Sequence, residues 1–222
     1  MTVLGGVEVG DRMEMRELVH PDAREEHVSG GFEFTEGPVW HPNGYLMFSD
    51  IPASTRYRWT PGGGITAMRS PSNKGNGMTF DKQGRLLVCE HDTSSVVRMT
   101  VDETGAEQDR EVLATHYSGL ELNSPNDIVV RTDGTVYFTD PTYGRMADIG
   151  IERAQELDFQ GVYKISPDGD LELVASTGYV QPNGLCFSPD EQILYVNDTI
   201  RCAVYRYDVS ADGSLSNEER HR

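Results

Sequence analysis

The chain has 222 residues, a mass of 24.7 kDa and a formal charge of −17, from 19 Lys+Arg against 36 Asp+Glu. That length suffices for one large domain or two small ones with a buried core, and 37% hydrophobic and 25% charged residues with 23 Gly and 11 Pro exclude a collagen, a coiled coil and a wholly disordered chain. An acidic excess of this size repels phosphate, which argues against nucleic acid and anionic membranes as partners and suits a protein that offers oxygen ligands to a hard cation.

Residues 1–30 form a segment outside the pattern that follows. Their opening, MTVLGGVEVGDRMEMREL, mixes acid, base and glycine where a secretory leader needs an unbroken apolar core. No stretch approaches the 18 apolar residues of a membrane span. Cys89, Cys186 and Cys202 lack CxxC spacing and are odd in number, as in a reducing compartment. Together these features predict a cytoplasmic protein.

From residue 31 the chain repeats itself. EGPVWHPNGYLMFSD from Glu36, NGMTFDKQGRLLVCE from Asn76, NDIVVRTDGTVYFTD from Asn126 and NGLCFSPDEQILYVND from Asn183 align as strand, polar turn and second strand, with starts 40, 50 and 57 residues apart. The turns are HPNG, DKQG, RTDG and SPDE, in which glycine admits positive φ and proline presets φ. The runs after them, YLMFS, RLLVC, TVYFT and ILYVN, are aromatic and branched enough to be buried on both faces. Third strands are expected at TRYRW, SVVRM, GVYKI and AVYRYDV, and outer ones at GITAM, REVLA and LELVA. Four antiparallel strands per unit make a β-propeller blade. Residues 141–160 interrupt the third unit, with IERAQEL as a short helix or lid-like loop. The fourth unit ends where its outer strand belongs, so the expectation is all-β, an open propeller of about four blades cut from a longer one.

The repeat sets Glu36, Asn76, Asn126 and Asn183 at one phase, before the innermost strand, so they converge on the channel mouth. One carboxylate with neutral amides suits Ca²⁺, whereas zinc asks for His or Cys. The competing reading is that Asn-Gly and Asn-Asp are turn dipeptides whose side chains cap backbone. A second set, Asp50, Glu90, Asp140 and Asp198, closes each second strand and reads as structural. His91 either reaches the channel mouth to bind substrate hydroxyls or lies on the surface, and Arg145 either meets an anionic substrate or is solvated. No nucleophile elbow, dinucleotide fingerprint, Walker loop or HExxH is present.

EGPVW at 36–40, FSDI at 48–51, GRLLVCEH at 84–91, LNSPND at 122–127, FTDPTYG at 138–144 and QPNGLCFSPD at 181–190 resemble, in that order, the SMP-30/gluconolactonase/LRE-like family, in its bacterial gluconolactonase branch. The resemblance implies a six-bladed propeller with a divalent cation, usually Ca²⁺, in its channel, and metal-dependent hydrolysis of a small sugar lactone. It carries metal binding to Glu36, Asn126 and Asn183 and substrate binding to Asn126; Asn76 and His91, from their own places near the channel mouth, are expected to join Asn126 in binding substrate. The family's catalytic base, an aspartate in a later PDG motif, falls beyond residue 222, so the resemblance implies impaired activity for the chain as it stands. The alternatives are a non-catalytic calcium-binding propeller and a broader esterase or phosphotriesterase of the same fold.

Overall fold

The computed structural model describes residues 20–176 and 178–221. Residues 1–19, which include the stretch read for a leader, lie outside the described residues. His20–Gly30 carries one turn and no strand.

From Gly31 the chain builds four four-stranded antiparallel sheets in which consecutive strands pair, so sheet order equals chain order. The first holds β1 (Thr35–His41), β2 (Tyr45–Asp50), β3 (Thr55–Thr60) and β4 (Gly64–Arg69), and the second β5 (Gly75–Phe80), β6 (Leu86–Glu90), β7 (Ser95–Val101) and β8 (Glu107–Ala114). A hairpin, β9 (His116–Tyr117) and β10 (Leu120–Glu121), leads to the third: β11 (Ile128–Val130), β12 (Val136–Asp140), β13 (Gly161–Ile165) and β14 (Leu171–Ala175). The fourth holds β15 (Pro182–Phe187), β16 (Ile193–Asp198), β17 (Ala203–Val209) and β18 (Leu215–His221). These are propeller blades, and the fold is the all-β one the repeat predicts.

Period-two geometry explains the unbroken apolar runs. Successive side chains of a strand point to opposite faces, and here both faces meet a neighbouring blade. Leu86 and Val88 of β6 pack with Tyr45 and Met47 of β2, while Leu87 and Cys89 turn to Ile128, Val136 and Phe138 of the third blade. On β12, Val136 and Phe138 look back to the second blade and Tyr137 looks forward to Leu185, Leu194 and Val196 of the fourth. The blades thus share three cores, each lying between neighbours, and each fully buried Leu or Val contributes roughly 1.5–3 kcal/mol to holding adjacent blades together.

One expectation is corrected and one alternative is decided. The fourth blade does have an outer strand, β18, paired along β17. Its LSNEERH sequence is exposed at nearly every position, so no apolar pattern announces it. IERAQEL forms no helix; the insertion has only a 3₁₀ turn at Tyr143–Arg145. Arg153 of that stretch instead reaches Glu121, the His91 carbonyl and the Ser94 hydroxyl, which fixes the segment as an anchored loop. Among the described residues no helix is long and apolar enough to cross a membrane.

Candidate functional site

Each inner strand begins on a clasp. Asp50 accepts the backbone N–H groups of Glu33 and Phe34 at 2.9 and 3.1 Å. Asp140 accepts those of Asn123 and Ser124, both at 2.8 Å, and Asp198 those of Val180 and Gln181 at 2.7 and 3.3 Å. In all three the N–H pair lies three and two residues before the blade-opening residue. Glu90, one methylene longer, takes the side-chain amide of Asn73 at 2.9 Å and the Arg110 guanidinium at 2.6 Å instead. The second acidic set therefore fixes how the chain enters each blade. Burial drives the Asp140 carboxyl up to about 7, against the pull of its two N–H donors.

The openers are then re-aimed by irregular pairing. Register shifts between Glu36 and Val39, between Gly75 and Met78, and between Pro182 and Leu185. Such bulges turn a side chain out of the pleat. The residue after the opener is Gly37, Gly77, Asp127 or Gly184. A Cβ at Gly37, where φ is +60°, would stand 2.0 Å from the Asn76 carbonyl oxygen, and one at Gly77 2.5 Å from that of Asn126. Only glycine lets the next blade approach so closely. The Ser49 hydroxyl donates to the Asn76 carbonyl at 3.1 Å, the Gly77 N–H to that of Asn126 at 2.8 Å, and the Thr139 hydroxyl to that of Asn183. Each of the first three blades thereby grips the backbone of the next opener.

The side chains so placed form a directional chain. Asn76 Nδ2 donates to Asn126 Oδ1 at 2.7 Å, Asn126 Nδ2 to Asn183 Oδ1 at 2.7 Å, and Asn183 Nδ2 to Thr199 Oγ1 at 3.0 Å. The second hydrogen of Asn76 points to His91 Nε2 at 3.3 Å, and His91 Nδ1 lies 3.1 Å from the Ile149 carbonyl. A carbonyl only accepts, so Nδ1 carries the proton and Nε2 accepts. Burial pushes the imidazole down to about 4, with the Ile149 hydrogen bond opposing, so it is neutral at pH 7.

Glu36, Asn76, His91, Asn126 and Asn183 border one cavity of about 280 Å³ with Phe34, Ile51, Tyr143, Ile149 and Thr199. The Glu36 side chain is exposed and makes no hydrogen bond among the described residues. Next to this cavity, Asp127 accepts the N–H groups of Ile128 at 2.9 Å and of Leu185 in the fourth blade at 3.1 Å. Its carboxyl is raised by burial first and by the nearby Glu36 charge as well, against those two bonds. Among the described residues no three His, Cys, Asp or Glu side chains gather as metal ligands. The donor set is one carboxylate with amide oxygens, and each amide oxygen has two lone pairs, of which the chain uses one on Asn126 and one on Asn183. That chemistry fits a hard cation that completes its six to eight oxygens from water or ligand.

The residues expected at the channel mouth are thus brought together. In place of the substrate contact expected of His91, both its ring nitrogens are bonded within the protein and the residue is fully buried. Arg145 is neither solvated nor free for an anion. It is buried, with Nε on the Asn123 carbonyl at 2.8 Å and Nη2 on the Leu122 carbonyl at 2.7 Å and on Glu121 at 2.9 Å. Sequence reasoning missed Asp127, although the repeat marks it: it stands where the other three units have glycine. It also missed Tyr143 and Ile149, which no repeat aligns, and Thr199, which stands at the phase of Ile51 and His91.

Residues 34–221 match the family model described as SMP-30/Gluconolactonase/LRE-like region. The chain is 35% identical over 204 residues to a gluconolactonase of Zymomonas mobilis, covering 85% of this chain and 56% of that protein. It is 28% identical over 194 residues to a pentonolactonase of Haloferax volcanii, covering 83% and 57%. A solved gluconolactonase of Xanthomonas campestris superposes with a TM-score of 0.76 at 34% identity, covering 85% of this chain and 62% of that one. The chain spans about half the length of the curated relatives it matches. On these grounds it belongs to the SMP-30/gluconolactonase/LRE-like family.

Proposed function

We propose that the cavity binds a divalent cation, Ca²⁺ before others, together with a small sugar lactone, and that the protein opens the lactone ring by hydrolysis. The observation that carries this reading is the polarity of the amide chain. Both hydrogens of Asn76 and one each of Asn126 and Asn183 are directed at other protein atoms, so the acceptor sites of Glu36 and the amide oxygens outnumber the one N–H left on each of Asn126 and Asn183 around the cavity. Acceptors select a ligand that brings positive charge or hydroxyl donors, and a cation with a polyhydroxylated ring meets both demands. The gluconolactonase and pentonolactonase relatives support the choice of an aldonolactone.

In this reading Glu36, Asn126 and Asn183 hold the cation through oxygen. When bound, it supplies Lewis acidity toward the lactone carbonyl oxygen. Asn76 Oδ1, which accepts no hydrogen bond from the described residues, receives a sugar hydroxyl. Phe34, Ile51, Tyr143 and Ile149 line the same cavity and cover the C–H face of the ring, where they displace water. Attack by one water and cleavage of the ring ester yield the open acid and its hydroxyl. His91 is not the base for that water, because both nitrogens are engaged.

A second reading, cation binding without turnover, draws on Glu36 being the one carboxylate among the described residues that line this cavity. Titrimetric assays of glucono-1,5-lactone, an aryl ester and a phosphotriester, each with Ca²⁺ and with chelator and corrected for spontaneous hydrolysis, separate these readings. Chelator-sensitive turnover of the lactone above both other substrates is the expected result. Cation binding with no turnover of any substrate selects the second reading, and preference for the ester or phosphotriester selects the broader hydrolase.

A further inference from the structure

We infer that the insertion between β12 and β13 sets the direction of the asparagine chain, acting through His91 as a positioning residue. An amide chain of this kind has two self-consistent polarities, since every Asn can exchange its oxygen and nitrogen by a half-turn of the terminal amide, and Thr199 at its end has a hydroxyl that donates or accepts. Nothing within the three amides chooses between them. The choice is made at the other end, by the Ile149 carbonyl.

That carbonyl admits only a protonated Nδ1 on His91, which leaves Nε2 as an acceptor facing Asn76. Asn76 must then present nitrogen, Asn126 must meet that nitrogen with its oxygen, and Asn183 must do the same for Asn126. A constraint from a backbone group of the insertion thereby reaches Asn183 through three intervening side chains. The opposite tautomer would invert each amide in turn and present nitrogen where oxygen now stands.

The insertion is held rigidly enough for this task. Gly144 lies against the His91 ring so closely that a Cβ there would be 2.6 Å from it, and Gly150 lies against the Gly144 carbonyl. Lys74 Nζ donates to the Gly150 carbonyl at 3.3 Å, and Ile151 N–H returns to the Gly144 carbonyl at 3.0 Å. Arg145 and Arg153 both bind Glu121, at 2.9 and 3.3 Å, and Arg153 also takes the His91 carbonyl at 3.1 Å. His91 and the loop that orients it are therefore tied together by contacts on the ring face, on Nδ1 and on the His91 carbonyl.

The part of this inference that concerns the cation rests on the proposed function; the part that concerns polarity does not. Two variants divide the work of the ring. In His91→Gln the side-chain oxygen replaces the Nε2 acceptor, and in His91→Asn the amide nitrogen replaces the Nδ1 donor but nothing reaches Asn76. ¹⁵N NMR of the wild-type imidazoles, with the His91 ring assigned by through-bond correlation to its own backbone amide, should report protonated Nδ1 and bare Nε2 at neutral pH. Side-chain amide signals of Asn76, Asn126 and Asn183 should all move in His91→Asn and stay near wild type in His91→Gln. Ca²⁺ affinity by calorimetry should fall about tenfold in His91→Asn and be rescued in His91→Gln, as for other residues that orient metal ligands. A protonated Nε2 in the wild type overturns the inference even if neither variant folds, and so does a folded His91→Asn whose Asn183 signal is unmoved. Wild-type protein that binds no Ca²⁺ overturns the proposed function and leaves polarity to be decided by the NMR measurements.

Discussion

Replacing Gly77 by alanine tests how the blades approach one another at the site. Gly77 has an ordinary φ, so backbone strain does not enter. The added methyl would stand 2.5 Å from the Asn126 carbonyl oxygen and 2.6 Å from both Cα and Oδ1 of Asp127, of which the first two are backbone atoms that cannot swing aside. Restoring ordinary contact requires the second and third blades to separate by about 1 Å, and overpacking of this kind costs about 1–3 kcal/mol. The Gly77 N–H bond to Asn126, worth about 1 kcal/mol, is strained in the process. The sum is about 2–4 kcal/mol, or a fall in Tm of roughly 4–16 °C for a domain of this size. Gly184 is the matched control. It holds the same repeat position, yet a methyl there meets nothing nearer than Asn197 Oδ1 at 3.4 Å. Gly184→Ala should lie within about 0.5 kcal/mol of wild type. Scanning calorimetry with equal protein and buffer decides, and equal Tm values for the two variants would refute the close-approach argument.

Glu36→Gln removes the one full negative charge at the proposed cation site and should weaken Ca²⁺ binding about tenfold or more by calorimetry, with Tm unchanged. Arg145→Ala strands the Leu122, Asn123 and Ala154 carbonyls and leaves Glu121 with Arg153 alone, and should destabilise the fold by about 3 kcal/mol in urea melts. His91 and Asp140 make opposite contributions to pH dependence. A buried His91 lowered to about 4 is protonated more readily in the unfolded chain, so its stabilisation is complete above pH 6.5 and is lost as pH falls toward 4, about 3 kcal/mol in all. Asp140, raised to about 7 from 3.8, binds its proton more tightly when folded, so its contribution is complete below pH 3.8 and is lost as pH rises through 7, about 4 kcal/mol. Relative to wild type, stability of His91→Gln should decline with pH between 4 and 6.5, and stability of Asp140→Asn should climb between 4 and 7, in urea titrations at stepped pH.

What the sequence made legible follows from where side chains face. Strands such as LLVC are buried on both sides, and an unbroken apolar run flanked by turns records that directly. β18 lies at the outer rim, where LSNEERH needs no apolar face, and the same logic hides it. The openers were legible because they recur: Glu36, Asn76, Asn126 and Asn183 share a phase that a propeller converts into a common place. Their hydrogen-bond partners were not. Thr199 shares its phase with Ile51 and His91, but the three are chemically unlike, and Ile149 belongs to an insertion that no other unit repeats, so residue type flags neither. Arg145 was misjudged because burial of a guanidinium depends on three acceptors from Glu121–Asn123, which sequence spacing does not bring into view.

The proposed function requires Glu36, Asn126 and Asn183 to converge about one cation. Crystals soaked with a lanthanide ion, measured at its absorption edge, locate that ion without reference to activity. A single strong anomalous peak bounded by the Glu36 carboxylate and the side-chain oxygens of Asn126 and Asn183 is the predicted result. A peak placed only elsewhere, or none in this cavity at saturating ion, would contradict the account.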